Sequence, residues 1–415
     1  MSSSERIANS APTAPNTTVM SGNEAAATAA RLARVQVIAA YPITPQTSVV
    51  EQLSAWVESG ELRAEFVNVE SEHSALTVCI TASTVGARTF TATSANGLAY
   101  MTEQVWWAGG ARLPIVMCIV NRAMAAPWNV LNDQQDSMSV RDAGWIQLYC
   151  RNNQEILDTT IQAYRIAEQL HVPVMVCYDG FLLSHTVMPV EVPLAEQVDA
   201  FLPPFTDPLT VVDPGDPRNI GPVVMADPRM NREGVSSHGY MEIRALHHAA
   251  MLKALDVIPA ADDEWSAVTG RSWGGLTWEH LLDDADVVII AAGSLATQAT
   301  LAAEELRAAG VRAGVLGVRA YRPFPTAALT RKLAGKQLAL VFDKALSYGY
   351  EGPICADLRG ALLGEESAPT VWGAVCGLGG RGISPADISA AMLRAVTEHE
   401  SGLRVRATDW INLEL

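Results

Sequence analysis

Tyr41-Pro-Ile-Thr-Pro-Gln-Thr47 ends a short apolar run, opens a helical pattern and holds one hydroxyl, Thr44, between two prolines. A residue that precedes proline is pushed out of the right-handed helical region, so Pro42 and Pro45 stiffen the connection. The order read across it is strand 35–41, loop, helix 46–59. That order recurs on both sides. Helix 24–34 precedes it, and strand 63–69, helix 71–85, strand 88–94, helix 97–109, strand 113–120, helix 154–170 and strand 172–178 follow. Strands alternating with helices through short polar connections predict a parallel sheet covered on both faces, a doubly wound α/β unit.

Residues 188–237 break the pattern with prolines and repeated Asp-Pro pairs and read as a structured linker or arm; helix 240–255 comes next, and 262–272 has no clear pattern. A second α/β unit then runs through strand 286–292, helix 296–309, strand 311–318, the turn 321–325, helix 326–333, strand 338–342 and strand 370–375. The expected organisation is a loose tail over 1–20, a first domain over 21–188, the linker and helix over 189–283, a second domain over 284–395 and a tail over 396–415. Gly377-Leu-Gly-Gly-Arg-Gly382 formally satisfies G-x-G-x-x-G. A dinucleotide fold needs a further strand with an acidic residue about 20 positions on. Only a helix from Pro385 and a tail remain here, so the competing reading is a turn leading into a helix capped by Ser384.

The 415 residues carry a formal charge of -16, which disfavours nucleic acid and anionic membrane surfaces as partners. The six cysteines contain no C-x-x-C pair and sit in apolar runs, which reads as buried free thiols, with no metal and no iron-sulfur cluster held by this chain. No window approaches about 18 uninterrupted apolar residues, and the Ser-, Ala-, Thr- and Pro-rich start lacks a secretory pattern. A cytoplasmic protein is expected.

Ligands of open parallel sheets bind at the carboxyl ends of the strands. Standing there are Thr44, then Glu70 and Glu72, then Thr93, Ser94 and Asn96, then Asn121 and Arg122. Each has a plain alternative: Thr44 as a helix cap, Glu72 as a first-turn partner of the helix dipole, Arg122 as a surface cation. Together, a carboxylate, an arginine and hydroxyls at one sheet edge outline a pocket.

Gly22-Asn-Glu-Ala25, Ala40-Tyr-Pro-Ile-Thr-Pro-Gln46, Glu70-Ser-Glu-His-Ser-Ala75, Gly86-Ala-Arg-Thr-Phe-Thr-Ala-Thr-Ser94, Arg112-Leu-Pro-Ile-Val116, Asn121-Arg122-Ala123 and Tyr178-Asp-Gly-Phe181 closely resemble the alpha subunit of 2-oxoacid:ferredoxin oxidoreductases of the pyruvate synthase type. Ala291-Ala-Gly-Ser294, Arg322-Pro-Phe-Pro325 and Phe342-Asp-Lys-Ala345 are similar to that subunit's transketolase C-terminal-like domain. The resemblance implies a pyrimidine-binding domain for thiamine diphosphate followed by that second domain. It matches Glu72 to the glutamate that hydrogen-bonds the cofactor's pyrimidine nitrogen and promotes its imino tautomer. It matches Arg122 to the arginine that binds the substrate carboxylate, and Thr44 to a threonine touching the substrate oxygens. Glu70 competes with Glu72, but the motif alignment favours Glu72; Thr93, Ser94 and Asn96 are placed beside the cofactor.

A G-D-G followed about 25–30 residues later by paired asparagines would mark the pyrophosphate and magnesium site, and Gly215-Asp216-Pro217 does not qualify, because proline replaces the glycine that lets backbone approach phosphate. By the family analogy a beta subunit supplies that half with its magnesium, and gamma and iron-sulfur subunits pass electrons onward. The expected reaction is oxidative decarboxylation of a 2-oxoacid to its acyl-coenzyme A. Trp128 and Gln134-Gln135, where the family more often has an aliphatic residue and a nearby histidine, leave two substrates open: pyruvate, with Trp128 a packing residue, or an aromatic acid such as phenylglyoxylate. The acceptor, ferredoxin or a nicotinamide, is open too. The other classes to weigh are a noncatalytic assembly subunit and a transketolase-like decarboxylating enzyme.

Overall fold

The runs VMCIVN and VMVCYD form the strands Val116–Asn121 and Val174–Asp179, and both are buried along their whole length. Covering on both faces is what such uninterrupted apolar sequence requires. The computed structural model describes residues 16–205, 240–405 and 407–415. Residues 1–15 of the expected tail, and 206–239 of the arm with Gly215-Asp216-Pro217, lie outside the described residues.

Among the described residues the first sheet has the order Ala320–Arg322, Ile146–Tyr149, Val174–Asp179, Val116–Asn121, Thr89–Thr93, Val37–Ala40, Glu65–Asn68. Its strands run parallel except Ala320–Arg322, which pairs antiparallel with Ile146–Tyr149. From Val37–Ala40 the chain steps outward to Glu65–Asn68 and then returns to the opposite side as Thr89–Thr93. The order therefore reverses between Val37–Ala40 and Thr89–Thr93, which opens a crevice at their carboxyl ends. The second sheet has the order Asp409–Trp410, Thr370–Val375, Leu338–Asp343, Val287–Ala292, Ala313–Val318, Thr277–His280, with only the last strand antiparallel to its neighbour.

Small residues set the closest helix packing. Ala25, Ala26, Ala27, Ala29 and Ala30 of the helix Gly22–Leu32 are buried in one core with the helix Asn153–Leu170. Ser21 and Glu24 form a capping box that starts the first of these helices. All six cysteines are buried and free, and burial pushes the thiols of Cys79, Cys118 and Cys376 up to about 12.

Several elements depart from the sequence reading. Asn16–Met20, expected in a loose tail, pairs antiparallel with Met188–Val192. The expected C-terminal tail is also structured: the helix Pro385–Glu400 extends into it, and Asp409–Trp410 adds a strand to the second sheet. Residues 97–109 form two helices, Ala95–Tyr100 and Thr102–Gly110. Tyr240–Thr269 is one helix of 30 residues that runs through Pro259, where the sequence pattern had ended it at 255. The turn 321–325 begins with Ala320–Arg322, a strand of the first sheet contributed by the second unit. The missed strands Ile146–Tyr149, Thr277–His280 and Asp409–Trp410 are two to four residues long, too short for periodicity to declare them.

The two units share buried polar contacts. Arg319, fully buried, donates to Glu155, Thr159, Gln162 and the Gly275 carbonyl. Asp343 ends the strand Leu338–Asp343 and accepts from the N–H groups of Ile354 (2.9 Å) and Cys355 (3.1 Å), at the start of the helix Pro353–Ala361. Burial pushes its carboxyl up to about 7. Between the unfolded carboxyl value near 4 and that figure, the folded chain holds a proton that the unfolded chain has released, so stability from this group falls as pH rises through the window. Asp343→Asn has no such proton to lose. Thermal melts from pH 5 to 8 should show the wild type losing stability relative to the variant as pH rises; parallel curves would contradict a raised Asp343.

Candidate active site at the carboxyl ends of the first sheet

The loop that carries Thr44 is pinned from below by residues far away in sequence. Asn23 Nδ2 donates to the Pro45 carbonyl (2.7 Å) and to Ser48 Oγ (2.8 Å), and Asn23 Oδ1 accepts from the Tyr178 hydroxyl at 2.9 Å. A Cβ on Gly180 would lie 2.7 Å from Pro45 Cγ and 2.7 Å from the Asn121 carbonyl oxygen, so only glycine lets this loop seat. Thr44 is exposed, and the following helix Thr47–Ser59 takes Gln46 as its N-cap residue, which removes the cap reading of Thr44.

Glu72 is the first residue of the helix Glu72–Thr84, with Ser71 as N-cap accepting from the Ser74 N–H. Only 7% exposed, it turns its carboxylate toward Gly97, where a Cβ would lie 2.7 Å from Glu72 Oε1 and 2.5 Å from Thr93 Oγ1. No described residue hydrogen-bonds that carboxylate, and Thr93 Oγ1 and Ser94 Oγ are buried without a partner. Buried polar atoms without partners are rare unless something else completes them. Glu70 stands apart from this cluster: it is exposed and accepts from the Ser74 hydroxyl, a bond that holds its carboxyl below the usual range. Asn96 turns its oxygen to the Ala125 N–H at 3.0 Å, so it braces the neighbouring loop.

Arg122 closes the edge. Its Nη1 donates to the Thr44 carbonyl at 2.7 Å and its Nε to the Asn129 carbonyl at 3.4 Å, which joins two of the expected site residues directly. Its Nη2 has no acceptor among the described residues. Trp128 is 72% exposed, so it is not a packing residue within this chain. Asp136, which local sequence gives no reason to single out, is fully buried and accepts from the N–H groups of both Ala95 (2.9 Å) and Arg122 (3.0 Å).

The second unit braces the loop that follows Arg122. Asp179 accepts from Lys344 Nζ (2.6 Å), Asn132 Nδ2 (3.0 Å), the Ser294 N–H (3.2 Å) and the Ser294 hydroxyl. Burial pushes its carboxyl up, but the Lys344 ammonium and these hydrogen bonds outweigh burial and hold it low. The quoted runs ending at Ser294, Ala345 and Phe181 thus meet at one buried charge. Gly377-Leu-Gly-Gly-Arg-Gly382 also acts here: Asn129 Nδ2 donates to the Gly379 carbonyl (2.9 Å), and the Gly380 N–H donates to the Asn132 carbonyl (2.7 Å). A Cβ on Gly379 or Gly380 would meet Asn129 Nδ2 at 2.5 Å or Leu131 Cβ at 2.4 Å. Both glycines have positive φ, and Ser384 caps the next helix with a capping box. Close packing against residues 129–132 is what needs the glycines, in place of a dinucleotide.

Residues 28–258 match the family described as pyruvate flavodoxin/ferredoxin oxidoreductase, thiamine diphosphate-binding, and residues 285–388 match pyruvate:ferredoxin oxidoreductase core domain II. Pyruvate synthase subunit PorA of Methanothermobacter thermautotrophicus is 42% identical over 398 residues, 95% of this chain and 98% of that one. The chain belongs to the 2-oxoacid:ferredoxin oxidoreductase alpha-subunit family. Ketoisovalerate oxidoreductase subunit VorA of Pyrococcus furiosus is as similar to this alpha subunit, 42% identical with 95% and 98% coverage. Among solved structures, 2-oxoglutarate:ferredoxin oxidoreductase from Magnetococcus marinus aligns at TM-score 0.67 and 19% identity, over 92% of this alpha subunit and 66% of that chain. A split-gene transketolase aligns at TM-score 0.53 and 14% identity, over 91% and 98%. These two likenesses carry the fold, two α/β units of the transketolase-like kind, and the family matched over residues 28–258 is the thiamine diphosphate-binding one. The unpartnered Glu72 and Thr93 atoms around the Gly97 cradle suit the polar edge of a thiamine diphosphate ring. No helix among the described residues is long and apolar enough to cross a membrane.

Proposed function

We propose that this alpha subunit acts in a cytoplasmic multisubunit complex that converts a 2-oxoacid and coenzyme A into acyl-coenzyme A, carbon dioxide, a proton and two electrons. Glu72 carries the reading: a buried carboxylate without a partner among the described residues, at the switch point of a parallel sheet, in a thiamine diphosphate-binding family. Bound there, the cofactor supplies the carbon nucleophile and the electron sink that decarboxylation requires.

This chain's residues perform the rest. Glu72 holds a proton against the pyrimidine nitrogen in a site shielded from water, and Thr93 and Ser94 offer hydroxyls on the same edge. Arg122, fixed through Nη1 and Nε, keeps Nη2 for the substrate carboxylate. The Thr44 hydroxyl stands on the loop that receives Nη1 and meets the substrate oxygens. A beta subunit holds the pyrophosphate and its magnesium, and gamma and iron-sulfur subunits receive the electrons; exposed Tyr41 beside Thr44, and Tyr348 and Tyr350 of the second unit, offer aromatic surface to such partners.

Similarity does not sort the substrates, since relatives named for pyruvate and for ketoisovalerate match equally well. Trp128 precedes Asn129, whose carbonyl holds Arg122, and is exposed on the same loop. That position keeps phenylglyoxylate beside the aliphatic acids. Viologen reduction by the purified complex, with pyruvate, ketoisovalerate and phenylglyoxylate, each with and without coenzyme A, decides the matter. Coenzyme A-dependent reduction with at least one of them is expected; none with any would contradict the proposal.

A further inference from the structure

We propose that Asp136 is a positioning residue that sets the substrate-binding arginine in register with the cofactor edge of the sheet. This rests on the reading of Arg122 as the group that binds the 2-oxoacid carboxylate. One oxygen, Asp136 Oδ2, accepts from the Ala95 N–H at 2.9 Å and from the Arg122 N–H at 3.0 Å. These amides lie just past the ends of two neighbouring strands, Thr89–Thr93 and Val116–Asn121. The other oxygen, Oδ1, accepts from Asn121 Nδ2 (2.7 Å) and from the Ser137 N–H (2.8 Å). One carboxylate therefore ties both strand ends to the helix Gln135–Ser139.

Two further observations mark this as more than packing. Ala95 is a non-glycine residue with φ of 43°, in the left-handed region that alanine disfavours, and its amide is held there by Asp136. It opens the helix Ala95–Tyr100, which presents Gly97 to the Glu72 carboxylate. Asp136 is also fully buried with no Lys or Arg side chain bonded to it among the described residues, and burial pushes its carboxyl up to about 7. A buried carboxylate with no cationic partner is costly even when hydrogen-bonded, so a merely space-filling role would be better served by an apolar residue. What it provides is a single oxygen, Oδ2, that faces two backbone amides at a fixed spacing.

The experiment uses the assembled complex with Asp136→Ala, Asp136→Asn and, as a control, Arg122→Ala, measuring KM for the 2-oxoacid, KM for coenzyme A, and kcat. Alanine removes both acceptors, and KM for the 2-oxoacid should rise at least about tenfold, with KM for coenzyme A within about twofold. Asparagine keeps one oxygen for Ala95 and Arg122, while its amide donates to Asn121 once that side chain turns over its buried, unpartnered Oδ1, and only the Ser137 N–H loses its acceptor. Asp136→Asn should accordingly stay within about threefold of wild type. Should Asp136→Ala fail to assemble, Asp136→Ser, too short to reach both amides, should show the same rise. A normal 2-oxoacid KM in Asp136→Ala or Asp136→Ser, with Arg122→Ala impaired, would overturn the positioning role alone. Asparagine as damaging as alanine would overturn the acceptor account in favour of the charge itself. A normal KM in Arg122→Ala would remove the underlying reading of Arg122.

Discussion

Glu72→Gln, placed in the assembled complex, should cut turnover by about 10²–10⁴-fold and leave assembly and melting temperature close to wild type. The expectation of a large effect follows from where the carboxylate sits. It is 7% exposed, lies against Gly97 and Thr93, and has no hydrogen-bond partner among the described residues. The small structural effect follows from the same fact, since glutamine keeps the shape and breaks no internal bond. The helix start does not depend on it either, because Ser71 caps the helix through the Ser74 N–H. Glu70→Gln is the matched control: its carboxylate serves the Ser74 hydroxyl at the surface, and its loss should change turnover by less than about threefold. Equal losses in both variants would mean that the charge of the segment matters and not a defined proton position.

Arg122→Ala should raise KM for the 2-oxoacid by roughly 10–100-fold, since a hydrogen bond to a charged group is worth about 1.5–3 kcal/mol. The guanidinium is already oriented before substrate arrives, with Nη1 on the Thr44 carbonyl at 2.7 Å and Nε toward the Asn129 carbonyl. That orientation is why Arg122→Lys should recover little: an ammonium keeps the charge but cannot bond Thr44 and present a second N–H in the same plane. Initial-rate kinetics across the 2-oxoacid concentration range separates the effect from kcat. A KM unchanged in both variants would assign the carboxylate to another residue.

The candidate site was legible in the sequence where the chemistry is local. Thr44 stands out because two prolines flank it, and Glu72 and Arg122 because they follow runs that can only be strands. The seating of those residues was not legible. Asn23, Tyr178 and Gly180 fix the Thr44 loop from positions up to about 135 residues away in the chain, and no spacing rule joins them. Asp136 reads locally as one more polar residue after Gln134-Gln135; its burial is a property of the fold. The strand Ala320–Arg322 was missed for a related reason. Three residues carry no periodicity, and the strand they pair with belongs to the other unit. Conversely, the glycine run at 377–382 was conspicuous in sequence, yet its cause is the approach of residues 129–132.

The most direct measurement is the thiamine diphosphate content of the purified chain alone and of the chain purified with its partner subunits, after equilibration with the cofactor and magnesium. The expected result is near-stoichiometric cofactor in the complex and none above background in the lone chain, which in the proposed arrangement supplies only the pyrimidine edge of the site. Tight retention by the lone chain would contradict a site shared between subunits and place the pyrophosphate contacts within these 415 residues.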